Sequence, residues 1–334
     1  MRVAINGFGR IGRIILRLID ECDDMEVVAI NYRHEPSQMA YLLKYDTCHR
    51  KYKPGDISYD DKHLVIGNKK ILCVAEDDPI NLPWKDLDID MVFECTGKFN
   101  KEEDANKHII AGAKKVIISA PAKGNVKTIV YGVNEDILTG DEKIVSASSC
   151  TTNCLAPMLK VISDNFGIKK GYMTTIHAYT NDQNTLDGSH KKGIESRRGR
   201  AAAENIIPTS TGAAESIGIV IPELDGRLKG SAMRVPVADG SCVDLTLELE
   251  RNVTIAEVNR AFVLHNSETL GVTKDPIVSC DVLGDTHGGV VDLLLTDILD
   301  VDGKQLVKIV GWYDNEMGYS SQMVRTARYF GSLK

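Results

Sequence analysis

Cys150 lies in Ser148-Ser149-Cys150-Thr151-Thr152-Asn153-Cys154, a thiol flanked by hydroxyls where a predicted strand gives way to a predicted helix. First-turn amides and the positive end of a helix favour a thiolate, so the placement suits a nucleophile. Ser149 and Thr151 beside it suit an anionic group. A buried structural cysteine next to an N-cap cluster has the same local pattern, and Cys154, on the same helix face, reads as structural. A nucleophile also needs a base. His177, in Thr174-Thr175-Ile176-His177-Ala178-Tyr179-Thr180, is the best placed of the eight histidines, although a lone strand histidine is more often a packed core residue.

Two further patterns speak of anions. Gly7-Phe8-Gly9-Arg10-Ile11-Gly12 follows a β run and opens an amphipathic helix, with Ile11, Ile14, Ile15, Leu18 and Ile19 on one face. In that context G-x-G-x-x-G reads as a dinucleotide site, because glycines admit a pyrophosphate to helix N–H donors. Residues 190–200, His-Lys-Lys-Gly-Ile-Glu-Ser-Arg-Arg-Gly-Arg, form a dense basic run without aromatics. It reads as a site for a small phosphorylated ligand, with a solvated face as the plainer alternative.

The elements that must carry these residues change character midway. Residues 2–31 form a βαβ unit, followed by β runs at 70–75, 91–95, 115–119 and 144–147 and a helix at 101–113, the cadence of a doubly wound α/β domain. After Cys150 come a helix over 155–166 and longer, alternating β runs at 172–179, 231–237, 243–248, 290–299 and 305–313, which predict a mostly antiparallel sheet. Asp302-Gly303 marks a hairpin between the last two. Met323, Ala327 and Phe330 share one face of a C-terminal helix. The expected division is residues 1–148, completed by a helix over 317–334, and a catalytic domain over 149–316.

The chain has 334 residues, 43% hydrophobic and 26% charged, with 40 basic against 47 acidic side chains and a formal net charge of −7. This argues for two globular domains and against nucleic acid or an anionic membrane as partner. No apolar run reaches membrane-spanning length and no signal segment precedes the first motif, so a cytoplasmic location is expected. The eight cysteines read as reduced thiols, and without a C-x-x-C no metal site is expected.

Taken together, INGFGRIGR (5–13), SASSCTTNCLAP (146–157), HAYTNDQ (177–183), RAAAENIIPTSTGAA (200–214), AMRVP (232–236) and WYDNEMGYS (312–320) resemble the glyceraldehyde-3-phosphate dehydrogenase family from Arg2 to the C-terminal helix. The resemblance implies a Rossmann-type domain plus a catalytic domain with a large mixed sheet, usually in a homotetramer, and places the basic run near cofactor and subunit interface. It implies that Cys150 attacks the aldehyde, that His177 takes the proton, and that inorganic phosphate cleaves the resulting thioester. Thr180 and Arg234 would bind the substrate's phosphate. Ser149, Thr151, Thr211, Gly212 and Arg198 would bind the attacking phosphate. Gly7, Gly9, the Arg10-Ile11 amides, Gly12, Ser119 and Asn315 would hold the cofactor, Asn315 at the nicotinamide amide. The chain departs from the family in two places. The ribose-binding acid expected about 20 residues after Gly12 is Tyr32, followed by Arg33. Gly188-Ser189 stands where NAD-linked relatives carry Leu-Pro, in a basic loop somewhat longer than usual. Tyr32, Arg33, Gly188 and Ser189 therefore point to NADP in preference to NAD. Erythrose-4-phosphate dehydrogenase and a non-redox Cys/His acyltransferase or hydrolase are the alternative readings.

Overall fold

The computed structural model describes residues 1–333 and divides them into two compact units. The first comprises Met1–Tyr131, Glu135–Ser149 and the segment from Ser320 onward; the second comprises Gly132–Asn134 and Cys150–Tyr319. Residues 132–134 and 317–319 thus group with the second unit and Ser149 with the first, each on the other side of the division expected from sequence.

The first unit is built in the order β1 (Arg2–Asn6), α1 (Arg10–Asp20), β2 (Glu26–Asn31), α2 (Pro36–Lys44), β3 (Ile57–Tyr59), β4 (His63–Ile66) and β5 (Lys69–Val74). It continues with β6 (Met91–Glu94), α3 (Glu102–Ile110), β7 (Lys115–Ile118), β8 (Lys127–Thr128) and β9 (Ile144–Ser146). The nine strands form one sheet in the order β3-β4-β5-β2-β1-β6-β7-β9-β8. Its pairings from β5 to β8 are parallel, and β3, β4 and β5 make an antiparallel edge. β1 and β6 are buried along nearly their whole length, as parallel strands covered on both faces must be. The chain order reverses beside β1, so the glycine-rich turn after β1 opens at the switch point where such sheets bind ligands.

The second unit contains α4 (Cys150–Phe166), β10 (Ile168–Ala178), β11 (Ile207–Thr209), α5 (Ala213–Val220), β12 (Leu228–Val235) and β13 (Ser241–Leu249). It goes on with α6 (Ile255–Leu264), β14 (Leu270–Thr273), β15 (Gly289–Asp292), β16 (Asp297–Val301), β17 (Lys304–Tyr313) and the start of α7 (Met317–Ser332). Its eight-stranded sheet runs β11-β12-β10-β13-β17-β15-β14, with β16 on β17. The sheet is mixed and mostly antiparallel; only β10/β12 and β14/β15 are parallel. β16 and β17 form the expected hairpin, with Asp302 (φ 53°) and Gly303 (φ 78°) both in the left-handed region that a two-residue turn requires.

Two expectations change and one holds. The run 290–299 is two strands, because Asp292 accepts the Leu294 N–H at 3.0 Å and turns the chain inside an apolar stretch whose composition hides the break. The helix expected from 155 begins at Cys150: threonines are poor helix formers, yet Thr151 and Thr152 are buried by tertiary contacts that override propensity. Of the C-terminal helix, residue 334 lies outside the described residues, and Met323, Ala327 and Phe330 are fully buried as the pattern required. Among the described residues no helix is long and apolar enough to cross a membrane.

Candidate active site

The glycine turn meets the steric demands of dinucleotide binding. Gly7 has φ 98°, and a Cβ there would stand 2.8 Å from the backbone of Cys95 and Thr96. A Cβ on Gly12 would fall 2.1 Å from the Gly7 carbonyl oxygen, so α1 can rise against β1 only without a side chain. A Cβ on Gly9, by contrast, would meet no protein atom within 4 Å, which leaves open space in front of the helix start. Arg10 and Ile11 form that start, which has no capping side chain and no acidic residue in its first turn, as a helix end built to face an anion needs. The Arg10 guanidinium turns to Asp46 (Nη2 to Oδ1 3.0 Å). Burial pushes the Asp46 carboxyl up, but Arg10 and the His49 and Cys48 amides outweigh it and hold it at about 2.

A cavity of about 270 Å³ opens beside this turn, lined among others by Asn6, Gly9, Tyr32, Arg33, His34, Asp77, Thr96 and Phe99. A buried polar chain fixes its floor. Glu94 accepts from Asn6 Nδ2 (2.5 Å) and the Thr96 amide (2.8 Å), and Asn6 Oδ1 accepts from Asn31 Nδ2 (2.7 Å). Trp84 Nε1 can only donate, so His108 Nδ1 accepts it (3.0 Å) and His108 Nε2–H donates to Glu94 (3.1 Å). Tyr32 packs against His34 (centroids 4.9 Å apart), and Arg33 reaches Asp77 at 2.5 Å. Ser119 follows β7 and donates its N–H to the Glu94 carbonyl at 2.9 Å. These features fit a dinucleotide.

In the second unit, Cys150 is the first residue of α4 and His177 stands one residue from the end of β10. Cys150 Sγ and His177 Nε2 are 3.4 Å apart. His177 Nδ1 lies 2.7 Å from the Ala178 carbonyl oxygen, which only accepts, so Nδ1 carries the proton and Nε2 presents its lone pair to the thiol. Arg234, paired with His177 in the β10/β12 register, donates from Nη1 to Ala178 O (2.9 Å) and Thr180 Oγ1 (3.0 Å). Its Nη1 stands 3.1 Å from His177 Nδ1, a contact between two donors, and its Nε is buried with no partner. Thr180 Oγ1 donates onward to Asp182, which also pairs with Arg198.

Burial dominates the electrostatics. It lowers His177 to about 3, with the Arg234 guanidinium adding to the effect, so the imidazole is a neutral base. It raises the Cys150 thiol, only partly offset by Arg234 and by the amide and hydroxyl of Thr151. The helix start alone therefore does not make Cys150 a thiolate, contrary to the sequence expectation: dehydration of the charged form outweighs the amides.

The structure also redirects other site residues. The Thr151 hydroxyl is turned inward, 2.9 Å from Tyr313 OH, while Ser149 stays partly exposed at the helix entry. Thr211 and Gly212 lead into α5; Thr211 Oγ1 accepts the Ala213 amide (3.2 Å), and no hydrogen bond ties either residue to the Cys150 group among the described residues. Arg198 approaches them through Thr209 Oγ1 (3.2 Å). The basic run is neutralised in part, with Arg198 on Asp182 and Arg200 on Asp187. Gly188 N donates to Gly199 O (2.8 Å), and the Ser189 carbonyl accepts from Asn184 (3.2 Å). Asn315 Oδ1 accepts the Ser241 hydroxyl (2.7 Å). Tyr313, Asp182 and Ser241 were not singled out from sequence. Asp182 and Tyr313 sit inside quoted motifs, but Tyr313's bracing role and Ser241 become visible only when strands pair.

A switch-point turn shaped for a dinucleotide in one unit and, in the other, a cysteine at a helix start within reach of a strand histidine are the parts expected of an oxidoreductase acting through a nucleotide cofactor. Residues 1–102 match the family described as glyceraldehyde 3-phosphate dehydrogenase, NAD binding domain, and residues 149–315 match its C-terminal domain. The chain is 55% identical over 332 residues to glyceraldehyde-3-phosphate dehydrogenase of Clostridium pasteurianum, covering 99% of each chain. It is 54% identical over 332 residues to that of Clostridium acetobutylicum, again covering 99% of each, and 49% over 334 residues to that of Streptococcus pyogenes, covering 100% of this chain and 99% of that one. The chain belongs to the glyceraldehyde-3-phosphate dehydrogenase family.

Proposed function

We propose that Cys150 and His177 carry the glyceraldehyde-3-phosphate dehydrogenase reaction, the reversible conversion of glyceraldehyde 3-phosphate to 1,3-bisphosphoglycerate through a cysteine thioester. The observation that carries this reading is the 3.4 Å approach of Cys150 Sγ to the unprotonated Nε2 of a buried, neutral His177. Sγ adds to the aldehyde carbon as the thiol proton passes to Nε2, and Nε2 returns that proton to the former carbonyl oxygen, giving the neutral thiohemiacetal with Nε2 free again. The bound dinucleotide supplies the hydride acceptor for its oxidation. His177 Nε2 takes the hydroxyl proton of the thiohemiacetal in that step and is positioned to do so by its Nδ1 bond to Ala178. Inorganic phosphate then adds to the thioester carbonyl and expels Sγ as a thiolate, which regains its proton from Nε2, so both groups return to their starting state. Arg234 and Thr180 bind the substrate's own phosphate, while Ser149, Arg198, Thr211 and Gly212 serve the attacking phosphate. Thr151 acts on Cys150 through its amide and hydroxyl. Gly7, Gly9, Gly12, the Arg10-Ile11 amides, Ser119 and Asn315 hold the cofactor.

We infer that both nicotinamide dinucleotides are accepted, with NADP favoured. No carboxylate stands at Tyr32 to repel a 2′-phosphate, Arg33 offers a guanidinium in the same cavity, and Gly188 and Ser189 are small. By the family resemblance the enzyme is a cytoplasmic homotetramer. The relatives named above are glyceraldehyde-3-phosphate dehydrogenases, so erythrose-4-phosphate dehydrogenase and a non-redox acyl-transfer enzyme are not favoured.

Two substitutions test the chemistry. Cys150→Ser should abolish turnover, followed at 340 nm, with cofactor binding intact. His177→Asn should slow acylation by roughly 10²–10⁴-fold. Near-normal turnover in the serine variant refutes the assignment. A tenfold wild-type preference for NAD in kcat/KM refutes the cofactor reading.

A further inference from the structure

Tyr32 brings no carboxylate to the cavity, but the neighbouring strand end brings two, Glu76 and Asp77. Asp77 lies three residues beyond β5, the strand beside β2, and it lines the cavity together with Tyr32 and Arg33. Its position is imposed by the fold. Asn31, the last residue of β2, donates from Nδ2 to the Glu76 carbonyl (2.9 Å) and accepts the Glu76 amide on Oδ1 (2.9 Å). The Tyr32 amide donates to Val74 (2.9 Å), and Asn31 is itself held by Asn6 and through it by Glu94. The two strand ends are thus clamped together from the core outward, and Asp77 follows directly from the clamp.

Asp77 Oδ1 meets Arg33 Nη2 at 2.5 Å, with side chains 77% and 63% exposed. An ion pair that open to water contributes little and exchanges partners readily. An incoming ribose therefore finds either charge available. Hydroxyls at the 2′ and 3′ positions are donors that a carboxylate accepts, whereas a 2′-phosphate is an acceptor that a guanidinium binds bidentately and a carboxylate repels.

We propose that Asp77 is the ribose-reading carboxylate of this enzyme, moved from the end of β2 to the segment after β5, and that its pair with Arg33 opens toward opposite sides for the two cofactors. NAD takes Asp77 through its ribose hydroxyls. NADP takes Arg33 through its 2′-phosphate and displaces Asp77. Asp77 thereby limits an NADP preference that Arg33 alone would make larger. The inference rests on the cofactor reading above.

Titration calorimetry of NAD and NADP into cofactor-free wild type, Asp77→Asn, Arg33→Ala and the double variant tests it without turnover. Asp77→Asn should weaken NAD about three- to tenfold and tighten NADP by about the same factor, the scale expected of single exposed charged contacts. Arg33→Ala should weaken NADP at least about fivefold and leave NAD within about twofold. In the double variant the NADP gain from Asp77→Asn should be mostly lost. An unchanged NAD affinity in Asp77→Asn overturns the proposal, whatever Arg33 does. A full NADP gain surviving in the double variant also overturns it, because Asp77 would then act by repulsion and not through Arg33. An unchanged NADP affinity in Arg33→Ala, alongside weakened NAD in Asp77→Asn, overturns the opening of the pair toward NADP together with the NADP preference, and upholds Asp77 as ribose reader.

Discussion

Replacing Arg234 by leucine separates substrate recognition from chemistry. Arg234 is half-buried, spends Nη1 on Ala178 O and Thr180 Oγ1, and keeps a buried Nε without a partner, so it has a donor left for an anion. A hydrogen bond to a charged group contributes about 1.5–3 kcal/mol, which converts to roughly a 10- to 150-fold change in binding. That loss should fall on the KM of glyceraldehyde 3-phosphate, since the phosphate does not react and is bound alike before and during the chemistry. Arg234 also acts on both reacting groups: it helps to lower His177 and to lower Cys150 against burial. Its removal lets His177 rise from about 3, yet the imidazole stays largely neutral at pH 8, so base function survives. The Cys150 thiol rises further, which slows every substrate equally. Dividing kcat/KM for glyceraldehyde 3-phosphate by that for unphosphorylated glyceraldehyde cancels this common effect. The ratio should fall by roughly 10- to 150-fold in Arg234→Leu, and Arg234→Lys, which keeps the charge without the fork, should lie between. An unchanged ratio refutes the role given to Arg234.

Tyr313→Phe leaves the buried hydroxyls of Thr151 and Thr175, now 2.9 and 2.8 Å from the phenol oxygen, without that partner. It should cost about 2–4 kcal/mol in urea unfolding and shift the pH profile of Cys150 alkylation; a loss under about 0.5 kcal/mol with an unmoved profile shows that the phenol braces neither residue. Burial raises the thiol and lowers the imidazole, so both groups are neutral at pH 7 and the thiolate grows as pH rises. Iodoacetamide inactivation of the cofactor-free enzyme should therefore keep accelerating above pH 7, and a rate already at its plateau by pH 6 contradicts this assignment of protons.

The parts of the fold legible in the sequence are those specified within one element. The βαβ unit at 2–31 shows because a glycine turn, a helical apolar face and two β runs follow one another within thirty residues or so. The Asp302-Gly303 hairpin shows because its turn demands two left-handed residues in a row. The break after Asp292 does not, because a side chain bonded to a backbone amide ends the strand inside a run of apolar residues. The first turn of α4 was likewise obscured, since Thr151 and Thr152 are helical through what surrounds them and not through their own preference.

The same division runs through the site. Cys150 and His177 carry recognisable flanking residues, and their types name the chemistry they could perform. Their protonation does not follow from those residues, because it depends on how much protein surrounds each group. A helix start predicts a lowered thiol; burial reverses the sign. Residues that act by holding another residue leave still less trace. Tyr313 comes from β17 to brace threonines on α4 and β10, and Ser241 links the Ala178 amide (3.0 Å) to Asn315 across a strand pairing. Asp77 is the extreme case. Read along the chain it is one acid among 47, and its meaning comes from Asn31, which clamps the two strand ends and sets that carboxylate against Arg33. A missing acid at position 32 therefore marks the absence of a residue, not of its function, because a neighbouring strand end can deliver the same group to the same cavity.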